Sequence, residues 1–151
     1  TGTSFIGNTS GSGGGAVEIA NGNCNSATDP TAVTVVFTNC TFTGNTAKTT
    51  GGAIEIRTNS CAKIDGITAT GNKSTGNGGV LYVTSNYSRV YITGTVTTSD
   101  NTGKNGTFAS LYNSNYTNPP KIYTTHSSDA SWYKEVGGNK TSIVFDLTTL
   151  P

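Results

Sequence analysis

Phe42-Thr43-Gly44-Asn45, followed by Gly51-Gly52-Ala53-Ile54-Glu55-Ile56, decides how this chain folds, because the same block recurs in register. Upstream it reads Phe5-Ile6-Gly7-Asn8, then Gly14-Gly15-Ala16-Val17-Glu18-Ile19. Downstream, Ala69-Thr70-Gly71-Asn72 precedes Gly78-Gly79-Val80-Leu81-Tyr82-Val83. A decayed fourth copy runs from Asp100-Asn101 to Ala109, with Thr107-Phe108 in place of the glycine pair. The repeat asparagines Asn8, Asn45, Asn72 and Asn101 are 37, 27 and 29 residues apart. Periods of this length mark stacked supersecondary units, none of which buries its apolar face alone.

Three sets of short β-rich segments fill each period. One follows Gly-Gly (AVEIA, AIEIR, VLYVT). A second comprises Val33–Phe37, Lys63–Ile67 and Arg89–Ile92. A third, Cys40–Thr43, Thr68–Thr70 and Thr95–Thr98, leads into the repeat asparagine. No segment shows a helical period. Strands without helices at this repeat length predict an all-β, right-handed parallel β-helix of about four coils over residues 1–112. Residues 113–151 lose the pattern and are expected to form an irregular cap or packing segment, ending in a strand with Ile143, Phe145 and Leu147 on one face.

Register sharpens this. Counting back from each asparagine, one column holds Thr3, Cys40, Ile67 and Val96, and another Phe5, Phe42, Ala69 and Thr98. Between them stand Ser4, Thr41, Thr68 and Thr97, then Ile6, Thr43, Thr70 and Ser99. Side chains alternate across a strand, so the apolar columns point inward. Thr41, Thr43, Thr68, Thr70 and Thr97 form an outward ladder. The asparagines form an internal one, their amides bonding from coil to coil at a tight corner, and both Asn8 and Asn72 are expected to be inaccessible.

Cys24 lies five residues after Ile19 and Cys61 five after Ile56, which makes them equivalent positions in neighbouring coils. Stacked strands about 4.8 Å apart lie within disulfide reach, so a Cys24–Cys61 bridge and an oxidising compartment are expected. Cys40, in an inward column, reads as a buried thiol. Neither cysteine nor histidine spacing suits a metal, and no cofactor is expected.

Nine basic and eight acidic residues give no electrostatic case for nucleic acid. No segment approaches the length of a membrane span, and since Thr1 opens inside a repeat no signal peptide is expected in this sequence.

Several constellations deserve chemical weighing. Glu18 and Glu55 share one outward column and would suit an acid/base or cation pair. The simpler account is two surface carboxylates beside Arg57. His126, near Ser127 and Asp129, lacks any framed nucleophile. The Thr-x-Thr array resembles the ice-ordering face of some antifreeze solenoids, although threonine is ordinary on exposed strands. Tyr82, Tyr87, Tyr91 and Tyr112 could offer an aromatic surface to a glycan. Seven sequons occur, of which Asn39, Asn86, Asn105, Asn115 and Asn139 are the candidate glycan acceptors.

Phe5-x-x-Asn8 and Phe42-x-x-Asn45, each followed by Gly-Gly-Ala-(Val/Ile), resemble the repeats of the chlamydial polymorphic outer membrane proteins. That resemblance spans about residues 1–112 and implies an extracellular β-helix used as an adhesin-like passenger or surface element, with no active site to carry over. Those proteins end in a membrane barrel, whereas this sequence has none.

The expected function is therefore a non-enzymatic, extracellular or cell-surface structural or adhesive module. A solenoid with an uncovered end presents strand edges that invite pairing. Head-to-tail self-association is the expected partnership, the last strand being a candidate for donation. The alternatives are a piece of a larger surface adhesin, a glycan- or ice-binding solenoid and, least favoured, a polysaccharide lyase or hydrolase.

Overall fold

The computed structural model of the chain describes residues 1–22, 24, 33, 35–113, 116–126, 132–137 and 143–144. Among them there is no helix, and every strand pairing is parallel. The first turn holds β1 (Ser4–Ile6), β2 (Thr9–Ser10) and β3 (Val17–Ile19). The second holds β4 (Val35–Thr43), β5 (Thr46–Ala47) and β6 (Ile54–Ile56). The third holds β7 (Cys61–Thr70), β8 (Lys73–Ser74) and β9 (Leu81–Val83). Then follow β10 (Arg89–Ser99), β11 (Ala109–Tyr112), β12 (Lys121–Thr124), β13 (Tyr133–Val136) and β14 (Ile143–Val144). Like strands of successive turns stack into sheets ordered β1-β4-β7-β10-β12-β14, β3-β6-β9-β11-β13 and β2-β5-β8. This is a β-solenoid, with three turns that contribute to all three sheets.

The sequence columns are the rungs. Phe5 pairs with Phe42 and Phe42 with Ala69, while Cys40 pairs with Ile67 and Ile67 with Val96. The Phe5 and Phe42 rings stack at 4.6 Å, and Phe37 meets Phe42 edge-on at 5.7 Å. On the second sheet Val17, Ile54, Leu81, Ala109 and Tyr133 form one inward column. Phe42, Ile54, Ile64, Leu81 and Ile92 are fully buried. Each contributes about 1.5–3 kcal/mol of burial relative to exposure.

The structure departs from the sequence expectation in three ways. The second and third segment sets are not separate strands but the two halves of β4, β7 and β10. They bend at Asn39, Gly66 and Gly94, all with φ between 49° and 80°, so the ladder turns a corner without breaking. The Asn-to-strand spacing in the fourth copy is one residue shorter than in the others. Ala109 pairs with Leu81 rather than Val80, so Gly106 (φ 72°) and Thr107 are the counterparts of Gly78 (φ 69°) and Gly79. Phe108 then enters the core in place of Val80. The described strands after residue 112 continue the solenoid: β12 stacks on β10, β13 on β11 and β14 on β12. This region carries no repeat asparagine, and its glycine pair, Gly137-Gly138, follows β13 instead of preceding a strand, so the repeat pattern does not mark it.

Tight stacking explains the second glycine of each pair. A Cβ on Gly52 would run into the Gly79 carbonyl of the next turn, and one on Gly15 into the Gly52 carbonyl. Any side chain there forces the turns apart.

Candidate functional site

The most ordered polar feature is the asparagine ladder, and it has a direction. Asn45 Oδ1 accepts from the Asn8 main-chain N–H at 3.0 Å and from Asn8 Nδ2 at 2.9 Å. Asn72 Oδ1 accepts likewise from Asn45, and Asn101 Oδ1 from Asn72. The second amide hydrogen of each rung is donated backwards: Asn45 to the Phe5 carbonyl, Asn72 to the Phe42 carbonyl and Asn101 to the Ala69 carbonyl. At the downstream end Asn101 Nδ2 meets Thr98 Oγ1 at 2.7 Å, and that hydroxyl stands in for the next rung. At the upstream end Asn8 is exposed, contrary to the expectation that it lies sealed inside. It has a rung on one side only, whereas Asn45 and Asn72 have one on each and are completely buried.

The outward hydroxyl face is the second feature. Ser4, Thr41, Thr68 and Thr97 pair rung to rung, as do Ile6, Thr43, Thr70 and Ser99. Ser99 Oγ donates to Thr70 Oγ1 at 3.4 Å. Two columns of four rungs thus stand on a parallel sheet, spaced by the strand separation along the axis and by two residues across it. Ile6, 67% exposed, is the one apolar member.

The other candidates are dispersed. Glu18 and Glu55 do pair across β3 and β6, but they differ in environment. Glu18 forms an ion pair with Arg57. Glu55 is only 6% exposed, and a Cβ on Gly13 would overlap its carboxylate, so the turn around Gly13 lies directly on it. Burial pushes the Glu55 carboxyl above its usual range, against the pull of Arg57, and Glu18 adds to the rise. The two carboxyls are therefore unlike: Glu55 is covered, and Glu18 is paired with Arg57 at the surface.

Cys24 and Cys61 form a disulfide with Cα atoms 5.4 Å apart, and Cys40 is a buried free thiol. His126 stacks on Trp132 at 4.7 Å, while Ser127 and Asp129 lie outside the described residues. The four tyrosines do not make one surface. Tyr82 is buried on the second sheet, and Tyr91 is buried on the first, stacked on Tyr123 at 5.2 Å. Among the sequons, Asn39 is exposed, Asn86 is half-buried and Asn105 gives an amide hydrogen to Asn77 Oδ1 at 2.7 Å. Asn115, Asn139, Phe145 and Leu147 lie outside the described residues. Ile143, offered as part of a donated strand, pairs instead with Ile122 of its own chain. Among the described residues no group of three acidic, histidine or cysteine side chains is placed to hold a metal.

Residues 39–57 match the Chlamydia polymorphic membrane protein (Chlamydia_PMP) repeat. The chain is a β-helix resembling the proteins built from that repeat. The matched stretch covers the bend at Asn39, the Phe42 rung, the ladder residue Asn45 and the whole of β6, which together form the motif that carries the resemblance. Neither curated proteins nor solved structures give a match.

Asp100 is the residue that repeat reading passed over. It occupies the corner position held by Gly7, Gly44 and Gly71 in the other turns, and alignment on the asparagines makes that substitution visible.

Proposed function

We propose that this chain is a non-enzymatic structural and adhesive β-helix module of an extracellular or cell-surface protein, joining head to tail with further copies into longer rods. The observation that carries this reading is the polarity of the ladder at Asn8. Every other Oδ1 in the ladder accepts two hydrogens from the preceding turn, and Asn8 Oδ1 presents the same acceptor at an open edge. Strands β1, β2 and β3 are the end strands of their sheets. A strand edge with unpaired N–H donors is the shape and chemistry that fits there.

The disulfide supports an oxidising compartment, and the repeat match supports display at a surface. Against a lyase or hydrolase weigh the covered Glu55 and the paired Glu18. Electron microscopy of the purified chain tests the reading: rods of stacked subunits are expected, and isolated single particles at high concentration would refute head-to-tail joining. If the chain is a piece of a longer adhesin, the preceding coil of that polypeptide occupies the same edge.

A second reading rests on the two hydroxyl columns, whose regular spacing suits ordered water or a crystalline glycan. Ice-growth inhibition that is lost on replacing Thr68 by Lys would favour it.

A further inference from the structure

We infer that the corner following β10 is a binding subsite for one neutral sugar ring, at the opposite end of the ladder from the open Asn8 edge. Strand β10 runs to Ser99, but β12 stacks only on its first part, Arg89–Ile92. Beneath the remainder, among the described residues, no strand follows. A cleft of about 240 Å³ opens there, lined by Thr98, Ser99, Asp100, Asn101, Thr107 and Trp132. Sites for drug-sized molecules run to roughly 300–1,000 Å³, so this one has the scale of a single ring.

Its lining combines an indole, a carboxylate and hydroxyls. A pyranose has an apolar C–H face and a rim of hydroxyls, and those groups complement it in kind. The His126 ring covers one face of Trp132, with 9° between the planes, so the indole is held in place before a ligand arrives. Less side-chain freedom is then lost on binding. Asp100 accepts from adjacent sugar hydroxyls. Thr98 Oγ1 already accepts from Asn101 Nδ2, so its own proton is left to donate.

Backbone geometry provides independent support. Gly7, Gly44 and Gly71 hold φ of 64°, 63° and 64° at this corner, and Asp100 holds 55°. That region strains a residue with a Cβ, and the other turns avoid the strain with glycine. A carboxylate appears at the one corner that borders the cleft. Residues held in this region cluster at ligand-binding sites. The same carboxylate disfavours acidic sugars.

Trp132 is the only tryptophan in the chain, so its fluorescence reports occupancy directly. The test is a titration of the whole chain with the methyl glycosides of glucose, galactose, mannose and N-acetylglucosamine. A saturable emission change is expected with at least one, at a half-saturation of about 1 mM or above for so small a contact. Asp100→Gly restores the residue of the other corners, so its melting midpoint should match or exceed the parent's. Its half-saturation should rise about tenfold, the effect of losing a hydrogen bond to a charged group. No saturable change with any of the four sugars would overturn the inference, and so would an Asp100→Gly titration that overlays the parent's. Rod formation is read separately, by microscopy.

Discussion

Asn72 takes two hydrogen bonds from Asn45 on a single oxygen, one from the main-chain N–H at 3.1 Å and one from Nδ2 at 2.9 Å. It thereby satisfies a corner N–H that no sheet reaches, and both residues are wholly buried. The ladder is thus a replacement for main-chain pairing at the one place in each turn where the chain changes direction too sharply to continue a strand.

Replacing Asn72 with Ala should therefore cost more than an exposed polar substitution. It strands the Asn45 N–H and one Asn45 amide hydrogen in a dry interior and removes a donor from the Phe42 carbonyl. A loss of about 2–4 kcal/mol is expected from urea unfolding. Asn8→Ala, at the exposed end rung, should cost less than about 1 kcal/mol. Equal losses at the two positions would mean that the ladder is not the corner's support.

Glu55 makes stability depend on pH in a definite direction. Its carboxyl is raised from 4.5 in the folded chain, chiefly by burial. Above pH 4.5 the native state therefore holds a proton that the unfolded state has released. Its contribution to stability is complete below that pH and is lost as pH rises through the native value. Glu55→Gln should flatten this decline in unfolding midpoints measured from pH 4.5 to neutrality. Parallel pH profiles for the parent and the variant would contradict the burial argument.

The cysteines should separate by reagent. In the native chain neither the bridge nor the buried Cys40 should react with a thiol dye, and denaturation without reductant should expose one thiol. Reduction opens a link between residues 37 apart, which costs about 3–4 kcal/mol in the chain-entropy treatment. A rapidly titrating thiol in the native state would move Cys40 out of the core.

Sequon use should follow burial. In a glycosylating host, tryptic mass analysis should find sugar at exposed Asn39 and none at Asn72, which is completely buried between two rungs. Sugar at Asn72 would require the ladder to form after modification or not at all.

The fold was legible where one residue type marks the same point of each turn. Asparagine and Gly-Gly did this for three turns, so the rungs around Phe42, Ile67 and Ile54 follow from counting. Counting failed where an offset changed. The shortened corner between Asn101 and Gly106 moves Ala109 by one position, and a fixed spacing cannot detect that. It also failed where the markers end: Ile122 and Ile143 are rungs fixed by long-range pairing alone. Exposure of Asn8 was hidden for a different reason. A column predicts which way a side chain points, while burial depends on having a neighbour above and below. The candidate site was less legible than the fold, because Trp132 reaches the Asp100 corner from a stretch with no repeat.

The central claim is that the open ladder edge joins copies of the chain, and light scattering across a dilution series tests it most directly. The Thr3 carbonyl and the Gly7 N–H face β4, so alternation turns the Ser4 and Ile6 main-chain groups to the open edge. Ile6→Pro removes one edge N–H without touching the internal ladder. The account predicts a mass that grows with concentration for the parent and stays at one chain for Ile6→Pro, with unchanged circular dichroism. A parent that remains a single chain at every concentration would contradict it.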